Sequence, residues 1–467
     1  MKKLLAALAA LLCLAGPAWA LDVGGEFTAD GRYALTDGDF LFNQLYGKLS
    51  FGQQVDDHLF GTAVLSLRLS NNPVGSQSLS NILTANELAF LYAVEPLEIG
   101  LDRAYFTYSD LFLPGLDLTV GKQRIAWGTA DQLNPTDLLN PLDFSDPFDF
   151  GKKSASLLAS LTYTIPSDMM SVQLVFEPYS HPARLNTLMT DEIRVGMDGV
   201  LAAIPLLPPD NSGGWTTAAE TPEYNIKNSL FGAKLAFAFP GLDLSANFVS
   251  RLNDMPYVSN IDIIIDATPA ITSKSYTLSY YREYECGLDA AWDLGIMVAR
   301  AEAALFFPES DIITTTTVTG SPPATATAIS TDPYVKYTVG FDSDLGAGFY
   351  LNVQYNHGFF TERGNSGPER LQDYLLARLE LSVLDETLKF GLTGLGNVNN
   401  MYDAFGQADF FTYLVDNGGV MGGFDIEYKP SLSVSLKAGV MIFDGNNSSI
   451  GRMKDRDLVF ASFKYNF

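Results

Sequence analysis

Segments of about ten residues recur along this chain in which apolar and polar or small residues alternate. From Leu59 to Ser70, Leu59, Gly61, Ala63, Leu65, Leu67 and Leu69 fall on one face, and Thr62, Ser66, Arg68 and Ser70 on the other. Ile296 to Phe307 puts Met297, Ala299, Ala301, Ala303, Leu305 and Phe307 on one side of Arg300 and Glu302. Leu432 to Phe443 separates Leu432, Val434, Leu436, Ala438, Val440 and Ile442 from Ser433, Ser435 and Lys437. A period of two is a strand, and roughly 9–11 residues is the length at which a tilted strand crosses a bilayer's hydrocarbon.

Eighteen such segments can be counted, over 25–35, 41–52, 59–70, 99–109, 116–127, 155–165, 171–178, 227–239, 242–251, 275–292, 296–307, 334–343, 348–358, 373–383, 388–397, 419–429, 432–443 and 456–467. Their links alternate. Tight ones fall at Pro240-Gly241, 293–295, 345–348, 384–387 and Pro430-Ser431; long ones fall at 71–98, 128–154, 179–226, 252–274, 308–333, 398–418 and 444–455. The expectation is an all-β fold: a transmembrane antiparallel up-and-down β-barrel of about 18 strands (16–20), with short periplasmic turns and long extracellular loops. An even count puts both termini at the periplasmic side. The 71–98 region, with Glu87 to Val94, is open to a further strand or a small helix. A soluble sandwich also alternates, but it does not explain the asymmetry of the links.

The N-terminus supports export. Lys2 and Lys3, an apolar run from Leu4 to Leu14, and Ala18-Trp19-Ala20 have the order of a secretory signal peptide, so residues 1–20 are expected to be cleaved and 21–467 to form one barrel. What remains has 27 Lys and Arg against 54 Asp and Glu. No nucleic-acid partner is expected at that charge. Cys286 alone remains, so no internal disulfide holds the chain. Closure of a ring of strands is another device, because it satisfies every ladder hydrogen bond. The last strand carries Val459, Ala461, Phe463, Tyr465 and Phe467 on one face and Lys464 and Asn466 on the other. It resembles the C-terminal recognition strand of barrels inserted by the Gram-negative outer-membrane assembly machinery, with Phe463, Tyr465 and Phe467 as the signal.

The first segment starts within a few residues of the expected cleavage point, which leaves no room for an N-terminal plug; any obstruction must come from loops, with 179–226 and 128–154 the candidates. Enzymes of this architecture need a histidine as base. His58, His181 and His357 stand in turns, loops or strand ends, without the Ser-Asn pattern of such enzymes. No enzyme activity is expected.

The most distinctive run is Gly121-Lys122-Gln123-Arg124-Ile125-Ala126-Trp127-Gly128, followed by Asn134-Pro135 and Asn140-Pro141-Leu142-Asp143. It resembles a largely uncharacterised family of porin-like outer-membrane proteins with a Gly-basic-Gln, Trp-Gly, Asn-Pro-x-Asp pattern, carried here by Gly121, Gln123, Trp127, Gly128, Asn140, Pro141 and Asp143. Phe176-Glu177-Pro178, Arg300 to Ala303 and Gln354-Tyr355 are weaker matches, and alginate-export barrels are more distantly similar. The resemblance implies a channel, or transport of hydrophobic compounds. Two features depart from the pattern: an extra Asn134-Pro135 and the long 179–226 loop. From the residues themselves, Leu116, Leu118 and Val120 form a lipid-facing frame that, continued strictly, places Lys122 and Arg124 on lipid. Either the pair snorkels to lipopolysaccharide phosphates, or Gly121 marks a bulge that turns it inward; an inward or rim position is favoured, with Trp127 in an aromatic girdle or anchoring a loop. The following acidic loop offers Asp137, Asp143 and Asp146 as candidate Ca²⁺ ligands, against the plainer alternative of a solvated acidic loop. No other cofactor is expected.

Inward positions carry both signs: Arg32, Lys48, Arg68, Arg103, Lys234, Arg251, Arg300, Lys336, Arg378 and Lys437, with Glu177, Glu283, Glu302 and Glu380 among the acids. Such charges must meet water or each other. The function this points to is a porin-like channel for passive passage of small polar or amphipathic solutes through a mixed-charge lumen constricted by extracellular loops. The alternative is a dedicated conduit for hydrophobic or lipid-like compounds working with a partner transport system. Expected partners are outer-membrane lipid and lipopolysaccharide, the assembly machinery and a small-molecule cargo, with the protein a monomer or homotrimer.

Overall fold

A computed structural model describes residues 21–467 apart from 37, 39, 72–96, 132, 147, 150, 166, 168, 186, 205–206, 221, 268, 368–369, 400–404, 406, 408, 447 and 452. The expected signal peptide and Glu87 to Val94 lie outside the described residues.

Alternation becomes a ring. Its strands are β1 (Asp22–Ala34), β2 (Phe40–Gln54), β3 (Leu59–Asn71), β4 (Leu97–Tyr108), β5 (Leu116–Gln123), β6 (Ser156–Thr164), β7 (Met170–Glu177), β9 (Leu230–Phe239), β10 (Leu242–Leu252), β13 (Arg282–Asp293), β14 (Val298–Pro308), β17 (Tyr334–Gly346), β18 (Phe349–His357), β19 (Asp373–Val383), β20 (Leu388–Asn397), β21 (Gly419–Ser431), β22 (Val434–Gly445) and β23 (Leu458–Asn466). Each pairs antiparallel with the strands before and after it around this 18-stranded sheet. The ring closes where β1 meets β23, from Glu26↔Asn466 to Ala34↔Leu458. Gly25 and Phe467 then exchange two backbone hydrogen bonds, of 2.8 and 3.0 Å. All eighteen strands overlap the segments expected from alternation. Closure leaves the ring no free edge, so its ladder groups need no water.

The outward face is apolar. Leu67, Ile99, Phe106, Leu288, Val339, Leu392 and Ile442 are each about half or more exposed. So wide an apolar surface calls for hydrocarbon around it, at roughly 25 cal/mol per Å² removed from water. Phe463 and Tyr465 belong to this face; Phe463 meets Phe27 at 6.4 Å between ring centres, and Tyr465 stacks on Phe467 at 5.9 Å.

Two extents differ from the alternation. The 116–127 segment leaves the wall after Gln123. The 275–292 segment is two strands: β12 (Ile271–Ser279), outside the ring, and β13 within it. The alternating pattern runs on across 280–281, so nothing local marks the step from one sheet to the other. A second sheet was not expected at all. It takes β8 (Trp215–Ala219), β11 (Tyr257–Ile265), β12, β15 (Ile312–Val318) and β16 (Ala324–Ile329) from three separate long links, in the order β16-β15-β11-β12-β8. Pairs within a link are antiparallel; β11–β15 and β12–β8, from different links, are parallel. Helix α1 (Thr187–Ala203) covers it, with Met197 packed among Trp215, Ile261, Ile263, Ile271 and Tyr276. Two shorter helices, α2 (Phe410–Asn417) and α3 (Ser448–Gly451), lie in the links flanking β21 and β22.

This cap is pinned by Lys274, whose ammonium donates to Asp210 at 2.6 Å. That bond, with those from Ser212, holds the Asp210 carboxyl down at about 2. A depressed acid stabilises above its unfolded pKa, and the contribution disappears as pH falls through the folded value. Pepsin cleavage of the cap should therefore rise between about pH 4 and 2, and Asp210→Asn should be cleaved as readily at pH 4 as the natural chain is at pH 2. At the seam, a Cβ on Gly25 would lie 2.3 Å from Cζ of Phe467. Gly25→Val should cost about 1–3 kcal/mol, read as a lower urea midpoint for the barrel refolded in lipid vesicles.

Candidate functional site

The barrel interior is occupied by the segment 124–155, and the distinctive motif is what fastens it there. Gly121 has φ 136°, and a Cβ on it would lie 2.3 Å from the Ala104 carbonyl oxygen, so only glycine turns the chain here. The strand ends two residues later. Lys122 donates to the Leu101 carbonyl at 2.6 Å and Arg124 to Asp102 at 2.6 Å, both bordering the interior cavity; the pair is turned inward rather than to lipid.

Trp127 is buried inside the ring, not in a girdle. Its Nε1–H donates to Oε1 of Gln173 at 2.7 Å, and its ring packs with Leu139, Leu158, Val175, Leu230 and Val249. Gly232 in β9 makes the room: a Cβ there would be 2.9 Å from Cη2 of the indole. Gly128, at φ 89°, lies so close to Asn134 and Thr136 that no side chain fits. The extra Asn134-Pro135 is a turn of its own. Asn134 accepts from the N–H groups of Thr136 and Asp137 at 3.1 and 3.0 Å and donates to the Trp127 carbonyl at 2.8 Å. Asn140 ties the segment's start to its middle, accepting from Ile125 N–H at 2.8 Å and donating to the Gln123 carbonyl at 3.1 Å; the Pro141 carbonyl accepts from Ser154 N–H at 2.9 Å.

The ring holds the segment from many sides. Glu302 of β14 accepts from the N–H groups of Thr129 and Ala130 and from the Thr136 hydroxyl. Thr338 of β17 donates to the Leu133 carbonyl at 2.7 Å, and Asn352 of β18 to Asp131 at 2.6 Å. Arg32 of β1 donates to Asp146 at 2.6 Å. Arg251 of β10 donates to the Leu138 carbonyl at 3.4 Å and pairs with Glu283 at 2.9 Å. Charge-assisted bonds of this kind are the strong ones.

The inward positions thus divide into two groups. Arg32, Lys48, Arg68, Arg378 and Lys437 border a cavity of about 910 Å³ beside the segment. Glu177, Arg251, Glu283, Glu302 and Lys336 are buried away from that cavity, and Arg68 is buried at its wall. Glu177 is bonded to His181, and Lys336 donates to the Phe359 carbonyl at 2.9 Å. Of the rest, Arg103 lies 3.6 Å from Asp102, Arg300 pairs with Asp342, Glu380 accepts from Arg378 at 2.7 Å, and Lys234 stands in register between Gln173 and Asn247.

The three candidate calcium carboxylates do not converge. Asp143 lies 3.8 Å from both Lys152 and Arg184, and Asp146 is taken by Arg32. Asp137 is enclosed, and burial pushes its carboxyl up against the pull of Lys153. Among the described residues, no group of three or more His, Cys, Asp or Glu side chains is placed to hold a metal. His357 bonds Asp373 at 2.7 Å, and His58 stacks on Tyr108.

Alternation alone did not find Asp102, Asn134, Gln173, Gly232 or Arg184. Asp102 enters through a register shift opposite Val64 and Leu65, which strict alternation cannot show. Asn134-Pro135 was a usable signal, since Asn before Pro favours turn initiation. Arg184, beside the cavity, is driven down to about 10 by burial and by its neighbour Arg68.

No family model and no curated protein matches this chain. Among solved structures, Salmonella typhi OmpF in complex with daunomycin is similar at 11% identity, covering 96% of this chain and 97% of that one, with a TM-score of 0.40. A mutant Rh. blastica porin is similar at 10% identity over 96% of this chain and all of that one, with a TM-score of 0.41.

Glu302→Ala removes the acceptor shared by Thr129, Ala130 and Thr136. The local cost should be about 1–3 kcal/mol, seen as faster amide exchange over 128–137 with the exchange of the ring strands unchanged.

Proposed function

We propose that this protein is an outer-membrane channel through which small polar or amphipathic solutes pass passively, in a lumen narrowed by the segment 124–155. The observation that carries this reading is the inward segment itself: bonds from β1, β7, β10, β14, β17 and β18 hold it inside a closed ring with an apolar exterior. It fills part of the cross-section and leaves the charged cavity of about 910 Å³ beside it. A wall meant only to be packed has no use for Lys48, Arg378 and Lys437 along such a space, because a charge kept from water is costly. A wetted wall of both signs suits solutes that carry polar groups.

The long links and the cap then face the cell exterior, both termini face the periplasm, and lipid and lipopolysaccharide surround the ring. Phe463, Tyr465 and Phe467 serve the assembly machinery. The protein works as a monomer or homotrimer.

The test is the current through the purified barrel in planar bilayers. Discrete, ohmic steps are expected, and removal of residues 129–138 should raise the unit conductance severalfold. A barrel that stays closed before and after that deletion sinks the channel reading.

A further inference from the structure

The cavity beside the inward segment has a charge opposite to that of its chain. The whole sequence has 29 Lys and Arg against 54 Asp and Glu, whereas the cavity is bordered by nine Lys and Arg and seven Asp and Glu. The excess is local. Lys48 on β2, Arg68 on β3, and Lys122 and Arg124 on and just after β5 share that stretch of wall with the carboxylate of Asp102, which Arg124 already engages at 2.6 Å, and with Glu26 of β1, in register opposite Lys48 and paired with Lys464 at 2.7 Å.

Arg68 is the centre of this arc. Its residue is 8% exposed, and its Nε–H has no hydrogen-bond partner. Its guanidinium lies 5.2 Å from the centre of the Tyr46 ring, and the Lys48 ammonium lies 5.2 Å from the same ring. Arg184 approaches from the link after β7 and lies 3.8 Å from Asp143. Burial and the charge of Arg68 hold the Arg184 guanidinium at about 10. The other side of the seam differs in kind. Met441 of β22 and Phe460 of β23 border the same cavity with Phe148 from the inward segment.

We propose that this cavity is a binding site for amphipathic organic carboxylates, the carboxylate on Arg68 and Lys48 and the hydrocarbon body against Phe148, Met441 and Phe460. A guanidinium fork suits a carboxylate, which it can hold by two parallel bonds. An inorganic anion would leave the apolar side unused, and a cation would meet the arc's repulsion. The proposal rests on the channel reading for its route of access, and deepens it by naming the solute class.

The experiment uses the full mature chain with benzoate, acetate and benzylammonium as probes. Titration calorimetry in nanodiscs reads binding, and block of the planar-bilayer current reads occupancy of the route. Benzoate should bind at least about tenfold more tightly than either of the others, and Arg68→Gln should weaken benzoate about tenfold, the equivalent of about 1.4 kcal/mol. Lys48→Gln should weaken it less, and Lys389→Gln, at the start of β20 and away from the cavity, not at all. Heat-modifiable gel mobility shows whether each variant is folded; if Arg68→Gln is not, Lys48→Gln and Phe460→Ser decide. Benzylammonium binding as well as benzoate, or folded variants at Arg68 or Lys48 that bind benzoate unchanged, overturns the site. Arg68-dependent benzoate binding to a barrel that never conducts overturns the channel reading and leaves the site standing. Conductance without benzoate binding does the reverse.

Discussion

Backbone hydrogen bonding in a medium without water is the constraint from which the rest follows. A strand in hydrocarbon must pair on both sides, so the sheet has to return to its own first strand. The β1–β23 pairing meets that demand, and the two bonds between Gly25 and Phe467 extend it to the last residue. Once the ring is closed, the pleat assigns every side chain to one of two faces. Apolar residues take the outside, and the charges, with nowhere else to go, are gathered inside.

That gathering explains the shape of the interior. An inward carboxylate needs donors, and an inward guanidinium needs acceptors. The segment 124–155 supplies both through its own backbone: Glu302 takes the N–H groups of Thr129 and Ala130, Thr338 the Leu133 carbonyl, and Arg251 the Leu138 carbonyl. A loop that would be solvated outside the ring is satisfied within it. Lys48, Arg378 and Lys437, which it does not reach, border the open cavity, which is how one ring of charges becomes both a packed part and an open part.

The ring was legible in the sequence because a period of two is imposed on each strand separately, and eighteen strands repeat the message. The inward fastening was half legible. Gly121, Trp127 and Gly128 stood out as unusual, but the partners that give them meaning, Gln173 and Gly232, are ordinary residues far along the chain. Nothing in the local pattern tells a glycine that admits an indole from one that merely continues a strand. The cap was not legible. Its strands are short, two of its pairings are parallel across separate links, and its core of Trp215, Ile261 and Tyr276 is assembled from two of them. Asp102 was hidden for a different reason: a single shifted pairing breaks the frame that the alternation argument counts on.

The cap has a consequence for how this surface can change over generations. Where loops stand independently, each can be lengthened, shortened or replaced without reference to the others. Here three of the long links share one sheet, so an insertion in one displaces strands of the next. Variation should collect at the tip between β15 and β16, around Gly320 to Pro323, which is exposed and outside the strands. The capped end of the barrel therefore has fewer independently variable parts than its number of links suggests.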